Sequence, residues 1–481
     1  MAKVTDIAKR ANELGMPAVA VTEHGNMHSY FKFYKACQKE GVKPILGCEV
    51  YTCDDRTQKD KSVLREYHHL VLLAKNNEGL ENLVKIVSDA SLVGFYQKPR
   101  TDFGFLKEHG KGIIALSACQ AGLIPEFLLK DVPSCWEARD KKKQINLKLT
   151  KSFRNLRSAN KGYDRARELV DLHKEIFDEF YLELEASDTH RQIVLNRLLV
   201  KLAKETNTPL VVTNDSHYVL KEDAEVHEVL LAIQTNSKLK DPNRFKLDSN
   251  CYWFKSEEET IEYLKLSELD QEIIDEAITN TGLIAEKCNV ELELGTFHFP
   301  EVDIPEGETA SSHLEAEANK GLEEMVRTFG LDYAKYKERL DYELKVICEM
   351  GFAEYFLVVK DIYDFARKEN IMAGPARGSA GGALVSRCLG ITKIDPIKHD
   401  LSFERFLCPG RVSLPDIDCD FSPAQRKKLF QYLIDKYGAE KCAHIGTFGT
   451  LNPRMLIRDI GRAYDIPFEI VDQIAKAVPE M

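Results

Sequence analysis

An α/β chain of more than one domain is the fold class this sequence predicts, and three observations carry the prediction. From the start to residue 220, short apolar runs alternate with helical stretches, the pattern of βα units around a parallel sheet or barrel. Later, the small-residue run Gly374-Pro-Ala-Arg-Gly-Ser-Ala-Gly-Gly382 leads into a helical stretch, expected over 380–389. After it comes Ser413-Leu-Pro-Asp-Ile-Asp-Cys-Asp-Phe421, in which acidic and apolar residues alternate as in a strand. At 481 residues the chain exceeds one ordinary core, and its length suits roughly two to four domains.

Composition narrows the function classes. The net charge of −11 excludes a chain that coats itself in nucleic acid, so any DNA contact belongs to a local basic groove. No apolar run approaches the roughly 20 residues that span a bilayer, and the N-terminus has the pattern of an amphipathic helix rather than a signal peptide. A cytoplasmic location and no membrane partner are the expectation. Twelve cysteines occur without a CxxC pair, several in apolar segments such as those around Cys348 and Cys388. Reduced core thiols are therefore expected rather than disulfides or a structural zinc.

The first half places side chains of metal-ligand type near strand ends, where βα folds build their sites. Pro17-Ala-Val-Ala-Val-Thr22 runs into Glu23 and His24, and Pro44-Ile-Leu-Gly-Cys48 runs into Glu49. Gly112-Ile-Ile-Ala-Leu116 leads to Cys119, and Pro209-Leu-Val-Val-Thr213 leads to Asp215 and His217. His69 breaks the pattern, because it opens its strand instead of closing it. Each residue alone reads as a satisfied histidine or a capping carboxylate. Together they form the mixed nitrogen, oxygen and sulfur set that suits zinc or manganese in a hydrolytic cluster.

The strings TEHGNM, GCEVY, HHLVLLAKNNEG, ALSACQAG and VVTNDSHY resemble successive motifs of the PHP (polymerase and histidinol phosphatase) domain, which leads bacterial C-family replicative DNA polymerases. The resemblance implies a distorted βα barrel over 1–285 and carries His24, Glu49, His69, Cys119, Asp215 and His217 over as metal ligands. The family's first motif, a His-x-His pair on the first strand, is missing, and the sequence opens at what resembles the following helix. That implies an incomplete cluster, so the 3′→5′ exonuclease activity of some members is not expected here. Glu23 stands where aspartate is usual. Residues 136–161 resemble an insertion rich in lysine and arginine, either a solvated face or an arm that touches the DNA backbone.

Between the halves, helical stretches at 224–235, 256–264 and 280–287 carry no chemistry of their own. The Pro, Gly and acid-rich loop 295–307 marks a domain boundary.

In the second half, a helix over 355–367 aligns Phe356, Val359, Tyr363 and Ala366 on one stripe. In the glycine-rich run that follows, backbone N–H groups, the Arg377 guanidinium and the Ser379 hydroxyl suit phosphate oxygens. A period of two then turns Asp416, Asp418 and Asp420 to one side and Ile417, Cys419 and Phe421 to the other. Carboxylates so crowded repel one another unless cations sit between them, and Mg²⁺ with substrate phosphates satisfies that need. Ser422-Pro423 has the form of a helix start, followed by the stripe Leu429, Phe430, Leu433, Tyr437 and a stop at Gly438.

From IMAGPARGSAGG through LPDIDCDF the sequence resembles the palm signature of the alpha-subunit family of bacterial DNA polymerase III. The resemblance implies a partial nucleotidyltransferase-type, polymerase beta-like mixed α/β palm over 286–447 and the start of a helical thumb over 448–481. It assigns Asp416 and Asp418 to catalytic Mg²⁺, Gly378 and Ser379 to the incoming triphosphate, and Asp420 to orienting the strand beside them. Ala376 and Cys408 depart from the usual glycine and asparagine. Arg454, Arg458 and Arg462, spaced by four, share one helix face, which is either solvated or holds triphosphate and template-primer. The family's TFGT and IRDIGRA strings favour the second.

The implied function is DNA-directed DNA polymerase of bacterial chromosomal replication, using two-metal catalysis on primer-template DNA and deoxynucleoside triphosphates. Sliding-clamp and other replisome contacts would lie in regions outside this chain. Because the family's third catalytic aspartate lies farther downstream, the isolated chain is expected to be inactive. The alternatives are a metal-dependent phosphoesterase or 3′→5′ exonuclease from the first half, or one noncatalytic half of a split polymerase.

Overall fold

The computed structural model describes residues 2–60, 67–130, 161–410 and 415–479. They form two compact units, one of Met1–Leu292 with Thr450–Met481 and the other of Glu293–Gly449. The expected basic insertion at 136–161 lies outside the described residues apart from Lys161, which opens helix Lys161–Ile176.

The first unit is built on strands β1 (Ala18–His24), β2 (Lys43–Cys53), β3 (His68–Ala74), β4 (Arg100–Asp102), β5 (Ile113–Leu116), β6 (Glu179–Glu185) and β7 (Leu210–Thr213). Their order is β1-β2-β3-β5-β6-β7, with β4 also paired to β2. Parallel pairs need long crossovers, and helices such as Tyr30–Glu40 between β1 and β2 and His190–Thr206 between β6 and β7 supply them. Tyr30, Phe33, Tyr34 and Cys37 form the buried stripe of the first of these, which ends on Gly41 in the left-handed region. Among the described strands only β3 is reversed, lying antiparallel to both β2 and β5. That reversal explains His69: the start of β3 lies at the end of the sheet where the parallel strands finish. Glu49, expected just past its strand, lies inside β2, because β2 continues to Cys53 to pair with β4.

Residues of the C-terminal stretch pack within the same unit. Helices Pro453–Ala463 and Phe468–Ala477 form a pair, the first capped by Asn452. The Leu239 N–H donates to the Ala463 carbonyl at 2.9 Å, and Lys238 and Lys240 both pair with Asp465. No helix of the described residues is long and apolar enough to cross a membrane.

The second unit is mainly helical. Helices Ala310–Phe329, Tyr333–Glu349 and Ala353–Lys368 surround a core that includes Leu322, Leu340, Phe356, Leu384, Phe403 and Ile417. Phe356, Val359, Tyr363 and Ala366 are all buried, as the stripe requires. Two expected elements differ. Instead of one helix over 380–389 there is a 3₁₀ turn, Gly378–Gly382, then Ala383 in an extended conformation, then the short helix Leu384–Cys388. Paired glycines disfavour a continuous helix, and the Val385 N–H is drawn to the Glu343 carboxylate instead. The helix expected from Ser422 begins at Arg426, because the Ser422 carbonyl first closes a turn onto Gln425 and Arg426; of its stripe only Leu429 is buried. The aspartate segment is extended but forms no ladder among the described residues, its strand-like contact being one bridge from Phe421 to Ala373.

Candidate functional site

In the first unit, β1 and β7 stand at opposite ends of the strand order, yet the rings of His24 and His217 lie 6.1 Å apart. The sheet therefore curls until its ends meet, and all six expected ligands gather there. One Glu49 oxygen lies 2.9 Å from His24 Nδ1 and 2.5 Å from His69 Nδ1. Cys119 Sγ lies 3.6 Å from His69 Nδ1. His217 Nδ1 bonds the Asp215 carbonyl oxygen at 2.7 Å, which leaves Nε2 free to act as a ligand. Glu23 turns away, accepting the N–H and hydroxyl of Ser29 at 3.0 and 2.8 Å.

Two carboxylates that the sequence reading passed over join the cluster. Glu185 groups with Cys119 and Asp215, their ligand atoms within 4.8 Å of one another, as do those of His24, Glu49 and His69. Glu183 accepts the Thr213 hydroxyl at 2.6 Å. Their signal lay in the alternation Leu182-Glu-Leu-Glu185: both leucines are buried on one face, and the glutamates are buried on the other.

Burial dominates the electrostatics. It pushes Glu183 up to about 7, and Glu185 well above the usual carboxylate range with added repulsion from Asp215 and Glu183. Asp215 is raised by desolvation, opposed by His217, and the Cys119 thiol is raised well above its ordinary value by burial. For Glu49 burial acts upward too, but bonds from His24 and His69 hold it at about 2. The Glu49 bond in turn raises His24. Glu183 Oε2 and Glu185 Oε1 are buried without a hydrogen-bond partner among the described residues, a costly state that a bound cation would relieve. Ala118 and Asp215 hold left-handed backbone, at φ 63° and 45°, beside these donors. The nitrogen, oxygen and sulfur set fits zinc or manganese.

In the second unit the period-two expectation holds without a sheet. Ile417 is buried and its N–H donates to the Tyr355 hydroxyl at 3.1 Å, while Phe421 packs 5.0 Å from the Tyr363 ring. Asp416 and Asp420 are exposed and Asp418 is half-buried. The glycine loop lies directly against them. The Gly374 N–H bonds the Asp420 carbonyl at 2.9 Å, and Arg377 reaches Asp420 at 3.0 Å and Asp418 at 3.6 Å. Gly378 has φ 65°, a backbone conformation that favours glycine, and a Cβ there would stand 2.9 Å from Asp418 Oδ2. Ser379 is exposed beside it.

A support for this loop was not legible in the sequence. Glu343, fully buried, accepts the Val385 N–H at 2.9 Å and Arg339 Nε at 2.7 Å. Arg339 also donates to the carbonyls of Gly382 and Leu401, both at 3.2 Å. In sequence this is an ordinary i,i+4 pair.

The three arginines share a helix face as expected, but that face is packed rather than open. Arg454 donates to the Val478 carbonyl, Arg458 to Asp472 at 2.8 Å, and Arg462 to the Ile233 carbonyl at 3.3 Å, all within the first unit.

A curled sheet ringed by metal-type donors, and a helical unit whose aspartates lie under a glycine loop, define a two-part protein: a PHP domain with a polymerase-type unit. The PHP domain model matches residues 1–187, and the model of the bacterial DNA polymerase III alpha NTPase domain matches residues 312–481. The chain belongs to the bacterial DNA polymerase III alpha family. DNA polymerase III subunit alpha of Aquifex aeolicus is 38% identical over 99% of this chain and 40% of its own length. Those of Borreliella burgdorferi and Thermus aquaticus are 37% and 36% identical, over 39% and 41% of their lengths. The chain thus spans well under half of these relatives.

Proposed function

We propose that the second unit serves template-directed nucleotidyl transfer in bacterial DNA replication, extending a primer 3′-OH with deoxynucleoside triphosphates. The observation that carries this reading is the apposition of Gly378 to Asp418, where a Cβ would stand 2.9 Å from the carboxylate oxygen, so that the glycine loop and a carboxylate lie side by side. Asp416 and Asp418 would hold Mg²⁺, which supplies charge neutralisation and a more acidic primer hydroxyl. Two carboxylates leave coordination sites for water and phosphate, the donor set this ion prefers. Gly378 and Ser379 bind the triphosphate through N–H and hydroxyl groups. Arg377, which bridges Asp418 and Asp420, adds a guanidinium to its oxygens. The relatives' names support the same reading.

The 481 residues alone bind a deoxynucleoside triphosphate in a Mg²⁺-dependent way but do not extend a primer. Titration with a fluorescent triphosphate and extension of a labelled primer-template test this. Binding that ignores Mg²⁺ and survives Asp416→Asn with Asp418→Asn sinks the assignment. Extension abolished by Asp416→Asn alone sinks the need for a further carboxylate. Primer-template DNA, the sliding clamp and a cytoplasmic setting belong to the same proposal.

A second reading concerns the first unit, where the orphaned oxygens of Glu183 and Glu185 favour a resident cation and metal-dependent phosphoester hydrolysis. His24, His69, His217, Glu49, Cys119, Asp215 and Glu185 would hold zinc or manganese there. Metal content and phosphatase or 3′→5′ exonuclease assays on the wild type and His217→Ala test it. Metal-free protein of unchanged activity would overturn it.

A further inference from the structure

The rim of the first unit's donor cluster carries a cation that neither reading uses. Lys98 lies in the loop between helix Asn77–Leu92 and β4, is half-buried, and pairs with no carboxylate among the described residues. Its ammonium sits 5.1 Å from the centre of the Tyr51 ring and 3.5 Å from the Tyr51 hydroxyl. Tyr51 in turn stacks on His24 at 6.4 Å and meets His69 edge-on at 5.2 Å. One aromatic ring therefore separates the lysine from the donors.

The loop is held in this shape from several sides. Gln97, just before the lysine, has φ 61°, a left-handed conformation that persists only where the surroundings enforce it. The Tyr96 N–H bonds the Lys98 carbonyl at 3.0 Å. Pro99 packs so closely on Gly25 that a Cβ there would lie 2.6 Å from the proline ring. Arg100, 1% exposed, ties the loop to the Gly94 and Gln58 carbonyls at 3.2 and 2.5 Å. Lys98 forms no ion pair with the cluster among the described residues, and the Glu49 oxygen there already faces two histidines. A firmly placed ammonium with no carboxylate partner among the described residues, beside metal-type donors, suits an anion that arrives over both.

We propose that Lys98 is the phosphate-recognition residue of the first unit, its ammonium binding nonbridging oxygens of a phosphate group seated over His24, Glu49 and His69. Tyr51 is the positioning residue that holds the ammonium at that height. The proposal rests on the cluster's holding a divalent cation, and the experiment separates the two.

The whole chain is titrated with Mn²⁺, followed by the resonance of the free ion, and the loaded protein is then titrated with inorganic phosphate by calorimetry. Lys98→Met keeps the aliphatic stem on Tyr51 and removes the charge; Lys98→Arg restores a cation. Expected are unchanged Mn²⁺ binding in both variants, phosphate binding about tenfold weaker or worse in Lys98→Met, and recovery of most of it in Lys98→Arg. Equal phosphate affinity in Lys98→Met and wild type, or no phosphate binding by the manganese-loaded wild type, overturns the role of Lys98 and leaves the cation reading standing. A wild type that takes up no Mn²⁺ overturns both.

Discussion

In the first unit Glu49, Glu183 and Glu185 are 4–6% exposed and crowd around three histidines and a cysteine, whereas in the second the side chains of Asp418 and Asp420 are 36% and 53% exposed. Water screens the second set, so that unit folds without settling their charge. The first set has little water, and its repulsion is built into the folded state. One site thus stores electrostatic tension that a bound cation would relieve; the other leaves its carboxylates open to water.

Four measurements would break or sharpen this contrast. The largest effect is expected at Glu343, the buried carboxylate of the second unit, because its oxygens are matched by Arg339 and the Val385 N–H. Glu343→Ala takes the acceptor from the Val385 N–H and from Arg339 Nε and should cost about 3–5 kcal/mol in the unfolding of that unit by urea. A cost near zero would mean that burial does not distinguish the two sets of acids.

Next comes pH and metal. Glu183, raised from 4.5 to about 7, adds stability that is complete below pH 4.5 and lost as pH rises through 7. Glu49, held at about 2, adds stability present above pH 4.5 and lost as pH falls toward 2. Metal-free protein should therefore lose first-unit stability on both sides of a mildly acidic maximum. Zn²⁺ or Mn²⁺ should raise its Tm more at pH 8 than at pH 5, and EDTA should reverse the gain. A metal shift independent of pH in differential scanning calorimetry contradicts the stored repulsion.

A smaller change follows Gly378→Ala, which forces a left-handed alanine against Asp418. It should cost about 1 kcal/mol in the second unit and remove Mg²⁺-dependent triphosphate binding. Retained nucleotide affinity would show that the loop is not the phosphate seat. Smallest is Arg377→Ala, an exposed side chain whose loss should leave thermal unfolding unchanged while weakening triphosphate binding at low salt.

Much of both sites was legible in the sequence, for a local reason. Alternation in Asp416-Ile-Asp-Cys-Asp-Phe421 places acids outward and apolar residues inward whether or not a ladder forms, because the period belongs to the extended backbone itself. His24, Cys119, Asp215 and His217 were marked by strand ends. Glu185 was hidden because a Leu-Glu repeat is what a half-solvated strand also shows; its burial comes from the curl of the sheet. Arg454, Arg458 and Arg462 looked like an open basic face, and only the docking of Val478, Asp472 and Ile233 fills it.

The sequence by itself determined the kinds of side chain that gather at each site, their spacing along each strand, and the small-residue run before the paired aspartates. Tertiary structure decided the rest: that β3 runs backward and brings His69 to the common end, that Glu183 and Glu185 lose their water, and that Arg339 and Glu343 brace the loop. Periodicity is a property of the backbone within a few residues, whereas desolvation and pairing depend on which distant segments arrive, and no short stretch of chain encodes that alone.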